Sequence, residues 1–276
     1  YRELFVTTED HDLNRLYYNN GDGTFTDISV SAGVFEGGNS ASATFGDVNL
    51  DGFLDLYVAN WCVEMLNMEI HDTFPTMQNY LYLNNGDLTF EESSEAYDVD
   101  DSEGCGLAVT FTDYDNDGDV DLLVGNDFGV LPGNSNNKLF QNQYPSAGFL
   151  DVSLATNMDV EMFSMGTAIG DYNEDGLLDY YVTNQGNDAL LKREGSGFVY
   201  ETLDAGLEND SVFCLDATTR RPTYGWGCGF SDFDNDSYLD LFVINGDLHW
   251  SYPRPCVDES KMFVNQGNGT FQDETQ

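Results

Sequence analysis

Four segments of the sequence place carboxylates at fixed intervals: FGDVNLDGFLDLYVAN from Phe45, FTDYDNDGDVDLLVGN from Phe111, IGDYNEDGLLDYYVTN from Ile169 and FSDFDNDSYLDLFVIN from Phe230. Counted from the first aspartate of each (Asp47, Asp113, Asp171 and Asp232), the pattern is Asp-x-Asp/Asn-x-Asp-Gly-x-x-Asp. It sets side-chain oxygens at positions 1, 3, 5 and 9 and adds the backbone carbonyl of position 7. Oxygen donors without His or Cys select calcium over zinc or copper, and magnesium takes fewer protein ligands and more water. Two carboxylates about 4 Å apart repel by roughly 4 kcal/mol at an effective dielectric of 20. Converging carboxylates therefore need a cation. One such segment alone is readily an ordinary acidic surface turn; four in register are not. An EF-hand shares the first half of the pattern but carries a bidentate Glu at position 12 on an exiting helix. Position 12 here is Val58, Val124, Val182 and Val243, each in a strand-like run, so these loops are closed by Asp at position 9 and lead into β structure.

The elements that must position these loops repeat with them. The first aspartates are separated by 66, 58 and 61 residues, a period that suits a propeller blade with some long loops. Each acidic segment runs into an apolar strand, and after a variable loop a further strand follows: LYYN at Leu16, LYLN at Leu81, LFQN at Leu139 and MFVN at Met262. The Gly- and Asn-rich turns NNGDGTF (Asn19 to Phe25), NNGDLTF (Asn84 to Phe90) and NQGNGTF (Asn265 to Phe271) then supply hairpins. The small residues of SASATF, GLAVTF, MGTAIG and GWGCGF suit an innermost strand crowded around a central channel. Four strands per repeat, recurring radially, predict an all-β fold, a β-propeller of four-stranded blades. Residues 1–276 read as a single propeller region with five sets of the outer three strands and four inner strands. Aligning Glu3–Thr8 with Asp55–Asn60 puts Tyr1 at the seventh position of an acidic loop. The incomplete blade is expected either to be completed within a larger propeller or to be closed by another chain.

Composition limits the partners. Fifty Asp and Glu oppose nine Lys and Arg, a formal charge of −41, which excludes nucleic acid and anionic membrane surfaces. Most of these carboxylates read as a solvated surface. With 41% hydrophobic and 14% aromatic residues the chain can still build a core and favours strands. No run approaches the roughly 18 apolar residues of a membrane helix.

These loops and hairpins resemble FG-GAP/VCBS repeats, including the Phe45-Gly46-Asp47 that names them, and the resemblance covers nearly the whole chain. The segment GTFTDISVSAGV is similar to the subgroup of cartilage acidic protein and the bacterial ASPIC/UnbV proteins. The resemblance implies a propeller, often seven-bladed, with about four calcium ions here, each between the first and second strands of a blade. Asp47, Asn49, Asp51, Phe53 and Asp55 match one site, and Asp113, Asp115, Asp117, Asp119 and Asp121 the next. Asp171, Asn173, Asp175, Leu177 and Asp179 match the third. Asp232, Asp234, Asp236, Tyr238 and Asp240 match the fourth, where Ser237 replaces Gly and is expected to weaken the site.

Extracellular calcium modules bind with dissociation constants of roughly 10⁻⁴ to 10⁻³ M, so the expected location is outside the cell. The sequons at Asn209 and Asn268 permit glycosylation, and the one at Asn235 lies inside an acidic loop. His11, His71 and His249 have no spacing of a triad or metal site, and GxSxG, phosphate-loop and HExxH motifs do not occur, so no enzymatic role is expected. Some resembling propellers belong to lyases or lectins, so a non-catalytic propeller part of a larger secreted enzyme is an alternative that the resemblance implies. Two function classes stand: an adhesion, scaffold or self-assembling module, and a glycan-binding lectin domain. The expected contact surfaces for a protein or glycan are the insertions 61–78, 127–137 and 246–260, which carry Trp61, Phe74, Phe128, Trp250 and Tyr252; simple loop packing is the competing reading. Blade connectivity places Cys62 near Cys105 and Cys214 near Cys256 as disulfides, with Cys228 buried and free and Cys214 to Cys228 as a competitor.

Overall fold

A computed structural model describes residues 3–8, 12–35, 38–62, 78–128, 136–209, 211–213, 220–246 and 258–275. It forms two compact units, Tyr1–Ser153 and Leu154–Gln276. In the first unit, β1 (Leu4–Val6), β2 (Arg15–Asn19) and β3 (Phe25–Asp27) form a three-stranded sheet. Next come two four-stranded sheets: β4 (Ser40–Gly46), β5 (Asp55–Asn60), β6 (Tyr80–Asn84) and β7 (Phe90–Glu92), then β8 (Gly106–Thr112), β9 (Asp121–Asn126), β10 (Lys138–Asn142) and β11 (Phe149–Asp151). The second unit holds β12 (Thr167–Gly170), β13 (Asp179–Val182), β14 (Ala189–Glu194) and β15 (Gly197–Tyr200). A short hairpin of β16 (Ser211–Phe213) and β17 (Arg220–Pro222) precedes β18 (Gly225–Ser231), β19 (Asp240–Asn245), β20 (Lys261–Asn265) and β21 (Phe271–Asp273). Every pairing is antiparallel and sequential, so the repeat unit is the meander that the sequence predicts. The first sheet, as described, is the one without an inner strand. The fold is a β-propeller of roughly five blades.

In β5, β9 and β13 the second strand of the blade is buried along its whole length because both of its faces are covered, whereas in β19 Phe242 and Ile244 are exposed. In β5, Leu56 and Val58 pack with Leu16 of the first blade, whereas Tyr57 and Ala59 pack with Leu122 and Val124 of the third. In the second unit Tyr181 and Leu190 pack against Leu241, Val243 and Phe263. In two loops close approach between blades depends on the glycine before the first aspartate. A Cβ at Gly46 would lie 2.6 Å from the Phe111 ring, and one at Gly170 would lie 2.7 Å from Leu239.

A second recurring device closes each blade after its outermost strand, and the sequence reading missed it. Ser29 donates to Asp27 while its hydroxyl accepts the Leu16 N–H at 2.9 Å; Ser153 does the same with Asp151 and the Leu139 N–H at 2.9 Å. Ser94, Thr202 and Thr275 take the N–H groups of Leu81, Leu190 and Met262. The signal was present as Asp27-Ile28-Ser29, Asp151-Val152-Ser153 and Asp273-Glu274-Thr275. Ser29→Ala would leave the buried Leu16 N–H unpaired, and its urea unfolding should show a loss of about 1–3 kcal/mol.

Candidate metal centres

Each acidic segment is the turn between the inner and second strands of a blade. The residue before position 1 pairs with position 9 as Gly46 with Asp55, Thr112 with Asp121, Gly170 with Asp179 and Ser231 with Asp240. Hairpin closure thus brings the two ends of the pattern together. Between them the backbone turns left-handed twice, at position 4 (Leu50, Asn116, Glu174, Asn235) and at position 6, where φ is 90° at Gly52, 96° at Gly118, 85° at Gly176 and 84° at Ser237. Around Gly52, Gly118 and Gly176 an added Cβ would meet nothing within 4 Å, so backbone conformation and not space demands glycine there. Ser237 takes the same conformation against its preference, as the sequence predicts.

Backbone N–H groups orient the side chains. At position 1, one carboxylate oxygen accepts from the N–H of position 5 and the other from that of position 6, at 2.8–3.1 Å in all four loops. The position 5 carboxylate accepts from the N–H of position 7. Position 9 is fully buried in every loop. One of its oxygens accepts the N–H of position 2 (Val48, Tyr114, Tyr172 and Phe233). The other accepts from the blade's third strand, at Asn84, Asn142, Arg193 and Asn265, over 2.8–2.9 Å. Asn142 and Asn265 further donate to Val48 and Tyr172, in the acidic loop of the preceding blade.

In the second loop Asp113, Asp115 and Asp117 offer oxygens within 4.8 Å of one another, and in the fourth Asp232, Asp234 and Asp240 do so; Asp119, Asp121 and Asp236 are not in these groups. In the first and third loops the third position is an amide, Asn49 or Asn173, whose oxygen also accepts the N–H of position 5. Burial raises Asp55 to about 6 and Asp121 and Asp179 to about 7. Asp119 rises to about 6 through burial and the charges of Asp117 and Asp115. The test of fit is the state of the buried oxygens: Asp115 Oδ1 and Asp119 Oδ1 are buried and accept no hydrogen bond. Acceptor-only atoms in an all-oxygen, acidic surrounding fit a hard cation.

Away from the loops the structure corrects three expectations. Trp61 and Phe128 are not a free contact surface: their rings pack 5.9 Å apart, Phe128 is buried, and the Trp61 Nε1–H donates to Asp127 at 2.9 Å. Asn209 is 3% exposed, with Nδ2 donating to Asp188 and Asn245, so a glycan has no access in the folded chain. Asn268 is exposed in its hairpin. Cys62 and Cys105 are bonded, with Cα atoms 4.9 Å apart, as expected, but the free Cys228 is half-buried and not fully buried. Cys214, Cys256, the three histidines, Phe74, Trp250 and Tyr252 lie outside the described residues. No helix among the described residues is long and apolar enough to cross a membrane.

Antiparallel four-stranded blades with oxygen-lined turns between their first two strands define a repeat-built β-propeller. Residues 1–58 and 73–124 match the family model of the FG-GAP-like repeat, and the chain carries FG-GAP-like repeats. Cartilage acidic protein 1 of Xenopus tropicalis is 28% identical over 184 residues, covering 61% of this chain and 25% of that protein. The Homo sapiens protein of the same name is 27% identical over 180 residues, covering 61% and 24%. Integrin alpha-8 of Gallus gallus is 29% identical over 184 residues, covering 60% and 17%. The match therefore spans about a quarter or less of these relatives' own length. Among solved structures, the exotype rhamnogalacturonan lyase YesX aligns over 95% of this chain and 56% of its own, at 11% identity and a TM-score of 0.38.

Proposed function

We propose that this chain is a non-catalytic, extracellular, calcium-stabilised propeller that serves as an adhesion or scaffold module. The observation that carries this reading is the set of four register-matched oxygen loops, with the buried Asp115 and Asp119 oxygens that accept no hydrogen bond in one of them. Calcium would be held by the position 1, 3, 5 and 9 side chains and the position 7 carbonyl of each loop, and it would supply the positive charge that these clustered carboxylates lack. Position 9 joins each site to the third strand, so ion binding stiffens a blade and not merely its turn. The disulfide, the strong negative charge and relatives named for cartilage and integrins support a place outside the cell, where weak sites fill.

Calorimetric titration of the chelator-stripped chain should show four calcium sites, with magnesium weaker and zinc absent. Titration without heat, or a preference for zinc, would overturn the reading. Calcium-dependent retention on a glycan array would replace the protein-partner role with the lectin role.

A further inference from the structure

The four loops are not equivalent, and the difference lies at position 7, where the repeat pattern asks only for a carbonyl. Phe53 occupies it with 47% exposure, and Leu177 and Tyr238 are half-buried. Asp119 is 5% exposed. Its Oδ1 accepts no hydrogen bond, its carboxyl lies against the Asp117 side chain, and the charges of Asp117, Asp115 and Asp113 bear on it. A carboxylate this buried, turned onto its own loop's acids, points to a ligand that carries positive charge.

A neighbouring strand adds a second distinction. The residue before the third-strand donor to position 9 is Leu83, Gln141, Lys192 or Val264 in the four complete blades. Only Gln141 reaches the loop with a neutral donor: its Nε2–H meets Asp115 Oδ2 at 2.6 Å, which leaves Oδ1 free to face inward. Lys192 instead borders the same cleft as Asn173 and Asp175, bringing a positive charge close to the third loop. The second loop also concentrates five aspartates (Asp113, Asp115, Asp117, Asp119, Asp121), against three in the first and third loops and four in the fourth at these positions. Ligand charge count and rigidity set calcium affinity in oxygen loops.

On the basis of the calcium reading above, we infer that the loop between β8 and β9 is the high-affinity cation site of this chain, with the Asp119 carboxylate as an added ligand and Gln141 as the positioning residue for Asp115.

The test compares calcium titrations of wild type, Asp119→Leu and Asp119→Asn. Leu177 stands at this position in the third loop, so leucine is compatible with the turn, and circular dichroism checks the fold. Asp119→Asn keeps the shape and loses the charge. In wild type one site should saturate before the other three. Asp119→Leu should weaken that first step by at least about tenfold and leave the later steps in place, with a smaller loss for Asp119→Asn. Gln141→Leu, copying Leu83, should weaken the same step. An unchanged first step in both Asp119 variants, or loss of a later step, would overturn the assignment while the calcium reading stands. A wild type that binds no calcium would instead remove that reading and this one with it.

Discussion

Calcium added to the chelator-stripped chain should raise its calorimetric unfolding midpoint by roughly 10 °C or more. A site filled at tenfold its dissociation constant adds about 1.5 kcal/mol, so four sites add about 6 kcal/mol, and a chain of this size gains about 2–4 °C per kcal/mol. The size of the effect follows from position 9, whose carboxylate links two strands and the turn of each blade. The response to pH supplies an independent check. Without calcium, burial raises Asp55 to about 6 and Asp121 and Asp179 to about 7, above the ordinary value of about 4 in the unfolded chain. These groups bind their protons more tightly when folded. The stability they contribute is complete below about pH 4 and is lost as the pH rises through about 6 to 7. The calcium-free chain should therefore become more stable on acidification from pH 7 to 5. Calcium favours the ionised carboxylates, so its stabilising effect should shrink over the same interval. A melting curve indifferent to calcium at pH 7.5 would mean that the ions contribute nothing to the fold.

The second large effect is expected from Asp121→Ala. This buried carboxylate accepts the N–H of Tyr114 at 2.9 Å and that of Asn142 at 2.9 Å. Alanine leaves two buried donors unpaired, a loss of about 3–5 kcal/mol. That loss should appear in chemical denaturation with calcium or with chelator, because the hydrogen bonds do not depend on the ion. Asp117→Ala provides the contrast. Its carboxylate is exposed and accepts one N–H, from Asp119 at 3.1 Å, so without calcium the change should stay within about 1 kcal/mol. With calcium it should remove the second loop's share of the stabilisation. If both variants lose stability only when calcium is present, position 9 is a ligand and not a structural tie.

The acidic loops were legible because their chemistry is local. Ligand spacing, the left-handed turn at Gly52, Gly118 and Gly176, and the entry into a strand all lie within about a dozen residues of sequence. The blade count was equally legible, since apolar runs and glycine hairpins recur with the loops. The fourth blade's third strand was the weakest signal: Ala189–Glu194 ends in Arg193-Glu194 where the other blades place Asn, yet its Arg193 N–H still meets Asp179. Position 9 asks the third strand only for a backbone donor, so the side chain there is free to change. The β16–β17 hairpin had no counterpart in the repeat and so no signal.

By itself the sequence determined the all-β repeat and the spacing of its acidic loops, and it proposed the pairing of Cys62 with Cys105 that the structure shows. The tertiary structure decided what each carboxylate does. Asp121 and Asp115 look alike in the pattern, but β10 donates a backbone N–H to one and the Gln141 amide to the other. Asp119 was expected to lend only its carbonyl, and the structure buries its side chain beside the loop's other acids. For Trp61 and Phe128 the sequence left a contact surface and simple loop packing both open, and the structure packs the two rings on each other. For Asp121, Asp115 and the Trp61–Phe128 pair the deciding partner is distant in sequence, across a loop of variable length, and register between strands is fixed by packing and not by spacing.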